Sequence, residues 1–130
     1  MSLTPDSNDC AILLVDHGSR RTEANALVEE VAAAVRKSHP DWHVAFAHLE
    51  LAPPDVPTGL DACVAAGAKT VVVHPYFLGP GRHSRDDLPA LLADARARHP
   101  GVEFVLSEPL GPHPKLTEVV LDRIAACLPR

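Results

Sequence analysis

His17 and His83 each stand where a strand-like apolar run breaks into a loop. The first follows Ile12-Leu13-Leu14-Val15-Asp16 and leads into Gly18-Ser19-Arg20. The second closes a stretch that starts with Val71-Val72-Val73 and ends in Gly79-Pro80-Gly81-Arg82. In a parallel sheet the carboxyl ends of all strands share one edge, where ligands bind, so both imidazoles would face one cleft. Neutral imidazole binds divalent transition metals and accepts protons near neutral pH. Such a cleft handles a metal, a proton, or both.

The same edge would hold His48 and Glu50 after a second strand, and the segment from Glu108 to His113 after a fourth. Two histidines and a carboxylate suit a divalent metal of intermediate softness. Their sequence separation is too wide for a local motif such as H-E-x-x-H, so only the fold could gather them. Strand alternation puts His48 on the same side as Glu50, in a supporting position. His74 interrupts a valine run ahead of Pro75 and reads as a core or edge histidine, and His43 as a surface one. Arg20, Arg21, Arg82 and Arg85 flank the two candidate histidines. Guanidinium groups and helix N-termini recognise carboxylates and phosphates, so these arginines form either a basic mouth for an anionic ligand or a solvated loop. No phosphate-cradling glycine motif and no G-x-S-x-G elbow is present, and no nucleotide is expected.

Positioning these residues requires strands that end together, and the chain alternates strand-like and helix-like segments four times. Strands are expected over Cys10 to Asp16, Trp42 to Leu49, Lys69 to Phe77 and Val102 to Leu106. Helices are expected over Arg21 to Ser38, with Leu27, Val28, Val31 and Val35 on its apolar face, from Pro54 or Asp55 to Gly67, from Ser84 to about Arg98, and over Lys115 to Cys127. Ser84 and Asp87 have capping-box spacing, Gly67 suits a helix end, and Ser38-His39-Pro40 and Arg98-His99-Pro100 read as helix terminators. The alternation implies an α/β fold: a flavodoxin-like three-layer sandwich with a four-stranded parallel sheet and helices on both faces.

At 130 residues the chain is expected to form a single domain, with residues 1–9 as a flexible, acidic N-terminus. A formal charge of −5 argues against general affinity for nucleic acid or an anionic membrane. No apolar run approaches membrane-spanning length and no signal-peptide pattern opens the chain, so the cytoplasm is the expected compartment. Cys10, Cys63 and Cys127 are scattered within apolar segments, without a C-x-x-C pair. They are expected to be buried thiols rather than ligands of an iron–sulfur cluster.

Four segments, in order, resemble the sirohydrochlorin chelatases of the CbiX/SirB type: Asp16-His17-Gly18-Ser19-Arg20, His48-Leu49-Glu50-Leu51-Ala52, the stretch from Pro75 to Pro89 containing Gly81-Arg82-His83, and Pro109-Leu110-Gly111-Pro112-His113-Pro114. The resemblance spans nearly the whole chain, and the third segment is its most specific part. The second segment departs from the family after Ala52, where this chain has Pro53-Pro54-Asp55 in place of a polar stretch.

The resemblance implies a class II chelatase that inserts Co²⁺ or Fe²⁺, with Ni²⁺ also possible, into sirohydrochlorin without ATP, in cobalamin or siroheme biosynthesis. It assigns His17 and His83 as the metal-binding and catalytic pair, and Glu50 as a further metal ligand. Ser19, Arg20, Arg21, Arg82 and Arg85 would then meet the carboxylates of the tetrapyrrole, and Tyr76, Phe77 and Leu78 its macrocycle. It also implies a short, single-domain form that pairs as a homodimer, with Val119, Val120 and Ile124 of the last helix as interface candidates. Two other readings remain open at this stage: a noncatalytic tetrapyrrole or metal carrier on the same fold, and a phosphate-binding regulator of flavodoxin-like shape, which the missing phosphate loop disfavours.

Overall fold

The computed structural model describes residues 9–81 and 86–129. Its elements are β1 (Cys10–Asp16), α1 (Thr22–Ser38), β2 (His43–His48), α2 (Val56–Ala65), β3 (Thr70–Pro75), α3 (Leu88–Arg98), β4 (Glu103–Leu106) and α4 (Pro114–Ala125). All four strands are parallel, in the order β2-β1-β3-β4. The α/β architecture expected from the alternation is therefore present, with β1 central and its carboxyl end flanked by those of β2 and β3.

Alternation along β1 splits its side chains between two cores. Leu13 and Val15 join Val71, Val73 and Phe104 on one face, beneath Leu60 and Cys63 of α2 and Leu88 and Leu92 of α3. Leu14 joins Val44 on the other, beneath Val28 and Ala32 of α1. Continuous apolar runs such as β1 follow from burial on both faces. Leu27, expected on the buried side of α1, is exposed; Ala32 takes the place beside Val28.

The caps explain where the helices begin and end. Asp55 accepts a hydrogen bond from Thr58 N (2.9 Å) at the start of α2, which holds its carboxyl below the ordinary 3.8. At the other end Gly67, with φ +99°, donates to Val64 O while Ala68 donates to Cys63 O, the paired bonds of a Schellman turn. The repeated His-Pro phrases act as terminators: His39 N bonds Val35 O and His99 N bonds Ala95 O. Arg36 and Arg96, one per repeat, each donate to a backbone carbonyl of an edge strand, Val44 O at 2.7 Å and Phe104 O at 2.8 Å. Such contacts occupy edge carbonyls that would otherwise invite pairing with another chain.

Several expectations need correction. The third helix begins at Leu88, and Asp87 makes no side-chain cap bond; Ser84, the other half of the expected capping box, lies outside the described residues. Asp9 is tied to the fold through its carbonyl, which accepts from Lys69 N at 2.8 Å, while residues 1–8 lie outside the described range. The largest departure is α4, which buries none of its residues. It leaves Cys127 exposed, unlike the buried Cys10 and Cys63. Helices do flank both faces, but α1 packs chiefly on β2 and β1, and Val105 of β4 stays 39% exposed.

Candidate functional site

The site is built where the hydrogen-bond ladder of β1 runs past the strands. Asp16 O accepts from Leu49 N (3.0 Å) and His17 O from Glu50 N (3.1 Å), while on the other side Val15 O accepts from Tyr76 N (2.7 Å). The loops after β1, β2 and β3 are thus fastened together. Gly18 follows with φ +89°, and a Cβ there would lie 1.8 Å from Glu50 O. Only glycine lets the two loops approach this closely.

Past Asp16 the side chains continue to alternate. Asp16 turns toward the α1 side, where its Oδ1 meets Nδ1 of buried His48 at 2.5 Å. His17 turns toward the α2 and α3 side and stacks on Phe77, with ring centroids 4.1 Å apart and planes 16° apart. The stack fixes the plane of an otherwise exposed imidazole against a ring anchored in the core. Ser19 is held by Asn25 through two bonds of 2.8 Å, its N–H donating to Asn25 Oδ1 and its carbonyl accepting from Asn25 Nδ2, and its hydroxyl accepts from Arg21 N at 3.0 Å. These contacts fix the path of the chain from His17 into α1.

Sequence reasoning missed two of these supports. The Asp16–His48 bond follows from strand register, since the two residues are direct partners across β1 and β2. The Asn25 bridge has a weaker signal, an asparagine in the first turn of a helix that follows a Ser-containing loop. His48 and Glu50 do not share a side as alternation suggested, because Glu50 lies beyond the paired strand and Leu51 turns with φ +70°. Glu50 instead lines a cavity of about 360 Å³ with Leu49, Asp87, Ala90 and Leu91, between the end of β2 and the start of α3.

His74 is satisfied as a strand histidine should be. Its Nδ1 lies 2.8 Å from Ser107 Oγ, and that hydroxyl donates to Glu108 O at 3.0 Å. Burial lowers the His74 pKa below 6.5, against an opposing hydrogen bond to the Glu108 backbone, which favours the neutral ring.

The remaining expected site residues divide as follows. Arg20 and Arg21 are exposed beside Ser19. Tyr76 packs against the α1-side core, Phe77 is buried beneath His17, and Leu78 is 80% exposed. Arg82, His83 and Arg85 lie outside the described residues. Among the described residues no three His, Cys, Asp or Glu side chains form a metal-binding group.

Comparison with known proteins bears on this geometry. The chain is 46% identical over 117 residues to the chloroplastic sirohydrochlorin ferrochelatase of Arabidopsis thaliana, covering 90% of this chain and 52% of that protein. It is 30% identical over 138 residues to a sirohydrochlorin cobaltochelatase of Methanococcus maripaludis, covering 87% of this chain and 96% of that one. The crystal structure of the sirohydrochlorin chelatase SirB from Bacillus subtilis in complex with cobalt superposes with a TM-score of 0.83 at 30% identity, covering 92% of this chain and 51% of that chain. The chain thus spans about half the length of the plant and Bacillus relatives and nearly all of the methanogen one. Since the CbiX family model matches residues 11–127, the chain belongs to the CbiX family.

Proposed function

We propose that this protein inserts a divalent metal, Co²⁺ or Fe²⁺, into sirohydrochlorin without ATP. The observation that carries the reading is the presentation of His17 at the carboxyl edge of β1, stacked on Phe77 and braced by the Gly18–Glu50 approach. Insertion replaces two pyrrole N–H protons by a metal ion. A neutral imidazole can hold the incoming ion or accept a departing proton. His17, His83 and Glu50 are the residues proposed to present the metal substrate, and Arg20, Arg21, Arg82 and Arg85 the substrate carboxylates' partners. Ser19 borders the same mouth, and Leu78 offers an exposed apolar side chain for the macrocycle, beside Phe77 under the His17 ring and Tyr76 toward the α1 side.

A large flat substrate needs two walls, and one chain supplies one edge of one sheet. The second wall in this reading comes from a second copy, as the two halves of a double-length relative would provide. Cys10, Cys63 and Cys127 are all unpaired, which fits a reducing compartment such as the cytoplasm, and among the described residues no helix is long and apolar enough to cross a membrane. The competing reading, a tetrapyrrole or metal carrier, makes an opposite kinetic forecast. Mixed with sirohydrochlorin and Co²⁺ or Fe²⁺ in the absence of nucleotide, catalytic amounts of protein should accelerate the absorbance change of metallation over many turnovers. A change limited to one equivalent per chain, at the uncatalysed rate, would point to a carrier.

A further inference from the structure

Two leucines stand in the open on either side of His17. Leu51, in the loop after β2, is 56% exposed, and Leu78, in the loop after β3, is 80% exposed. Single exposed leucines are ordinary on a protein surface, so exposure alone decides nothing. The backbone does. Leu51 has φ +70° and is the one non-glycine residue with a positive φ among the described residues. In that left-handed region the Cβ of a leucine crowds the following carbonyl oxygen, a clash that glycine lacks and asparagine tolerates. Packing would offset the strain, yet Leu51 joins neither core. Strain that the fold itself does not use is a mark of ligand clamps.

The loop leaves Leu51 no easier conformation. One residue before it, Glu50 N donates to His17 O at 3.1 Å, and the Glu50 carbonyl is pressed against Gly18. On the far side of the turn His48 N donates to Pro54 O at 2.9 Å. The chain is thus pinned before and after Leu51, and its side chain is presented rather than packed. Leu78 is held comparably on the opposite flank. It follows Phe77, whose ring stacks on His17 and whose carbonyl accepts from Leu110 N at 3.0 Å. Its own carbonyl would lie 2.7 Å from a Cβ on Gly111. Because β2 and β3 flank β1, the two loops stand roughly 10 Å apart, twice the spacing of neighbouring strands. His17 lies between them.

We infer that Leu51 and Leu78 form a pair of apolar rests for the macrocycle, one on each side of His17, with the ring system lying across the imidazole. This rests on the chelatase reading and adds Leu51 to the residues that hold the substrate. The carboxylates at the rim of a tetrapyrrole call for guanidinium partners, whereas its fused rings call for apolar surface that makes no hydrogen-bond demand. Two leucines already fixed in place supply that surface with little ordering cost on binding.

Titration of the metal-free protein with sirohydrochlorin, followed by absorbance, reads this contact apart from metal insertion. Leu51→Asn should weaken binding about tenfold, the loss expected when one apolar side chain no longer covers the ring. Its urea midpoint should stay level or rise, because the strain is relieved. Leu51→Met keeps an apolar side chain and should bind within about twofold of wild type. Leu78→Asn should weaken binding by a similar factor without moving the midpoint, and Leu27→Gln, at a similarly exposed leucine on α1, should leave binding unchanged. In the insertion assay the loss in the Leu51 and Leu78 variants should fall on KM for sirohydrochlorin rather than on kcat, as expected for binding shared by ground and transition states. Unchanged affinity in Leu51→Asn overturns the assignment, and so does a loss of affinity that comes with a lower midpoint, since the leucine then props the loop. Weakening in only one of the two asparagine variants overturns the pair. A wild type that binds no sirohydrochlorin overturns the chelatase reading and the contact together, whereas binding that is equal in wild type and both variants removes the contact alone.

Discussion

His17→Ala should lower the rate of metal insertion at least about 100-fold, the usual contribution of a positioned acid–base group, with the chain still folded. The imidazole is exposed and sits in a loop, so its removal opens no cavity in either core. Its stack on Phe77 is worth roughly 0.5–1.5 kcal/mol, too little to unfold a domain of ordinary stability. Activity and stability should therefore separate. His83→Ala should behave alike if the two histidines act on one metal and one macrocycle, and the double variant should be little worse than either single one, because residues that act as a unit are not additive. Insertion rates beside denaturation midpoints provide the check. Turnover within a few-fold of wild type for His17→Ala would remove it from the mechanism.

Gly18→Ala should be as damaging to activity and far more damaging to the fold. A left-handed φ of +89° costs a residue with a Cβ about 1–2 kcal/mol, and here the Cβ also meets a backbone oxygen at 1.8 Å, which no side-chain adjustment can relieve. Gly67 is the internal control, since it shares the left-handed backbone, at φ +99°, but a Cβ there meets nothing within 4 Å. Urea denaturation should show Gly67→Ala losing only the conformational cost and Gly18→Ala losing at least twice as much. Equal losses would mean that the loops after β1 and β2 yield easily, and that their close approach does not set the position of His17.

What the sequence made legible was whatever depends on period and punctuation. The β1 span from Cys10 to Asp16 was readable because burial on both faces leaves an unbroken apolar run, and the ends of α1 and α3 because the His-Pro phrases stop helices. Glu50 was misjudged relative to His48 because alternation holds only while a strand is paired, and the backbone turns at Leu51. The brace of Asp16 by His48 depends on which residues sit opposite one another across two strands, which a single chain does not display. The exposure of α4 was hidden for a related reason: an apolar stripe on a helix reads the same whether or not its own sheet covers it. That His17 and His83 share one edge was read from the strand ends they follow, whereas their role as a catalytic pair came from family resemblance.

The central claim is that the carboxyl edge of the sheet, at His17, receives the metal substrate. Crystals soaked in Co²⁺ and measured across the cobalt absorption edge locate that ion directly through its anomalous scattering. The account predicts a peak within coordination distance of an imidazole nitrogen of His17, about 2.1 Å for a divalent ion of this kind, with His83 or Glu50 completing the set, and its loss in His17→Ala crystals. An ordered cobalt ion bound elsewhere, with the His17 edge empty in wild type, would contradict it.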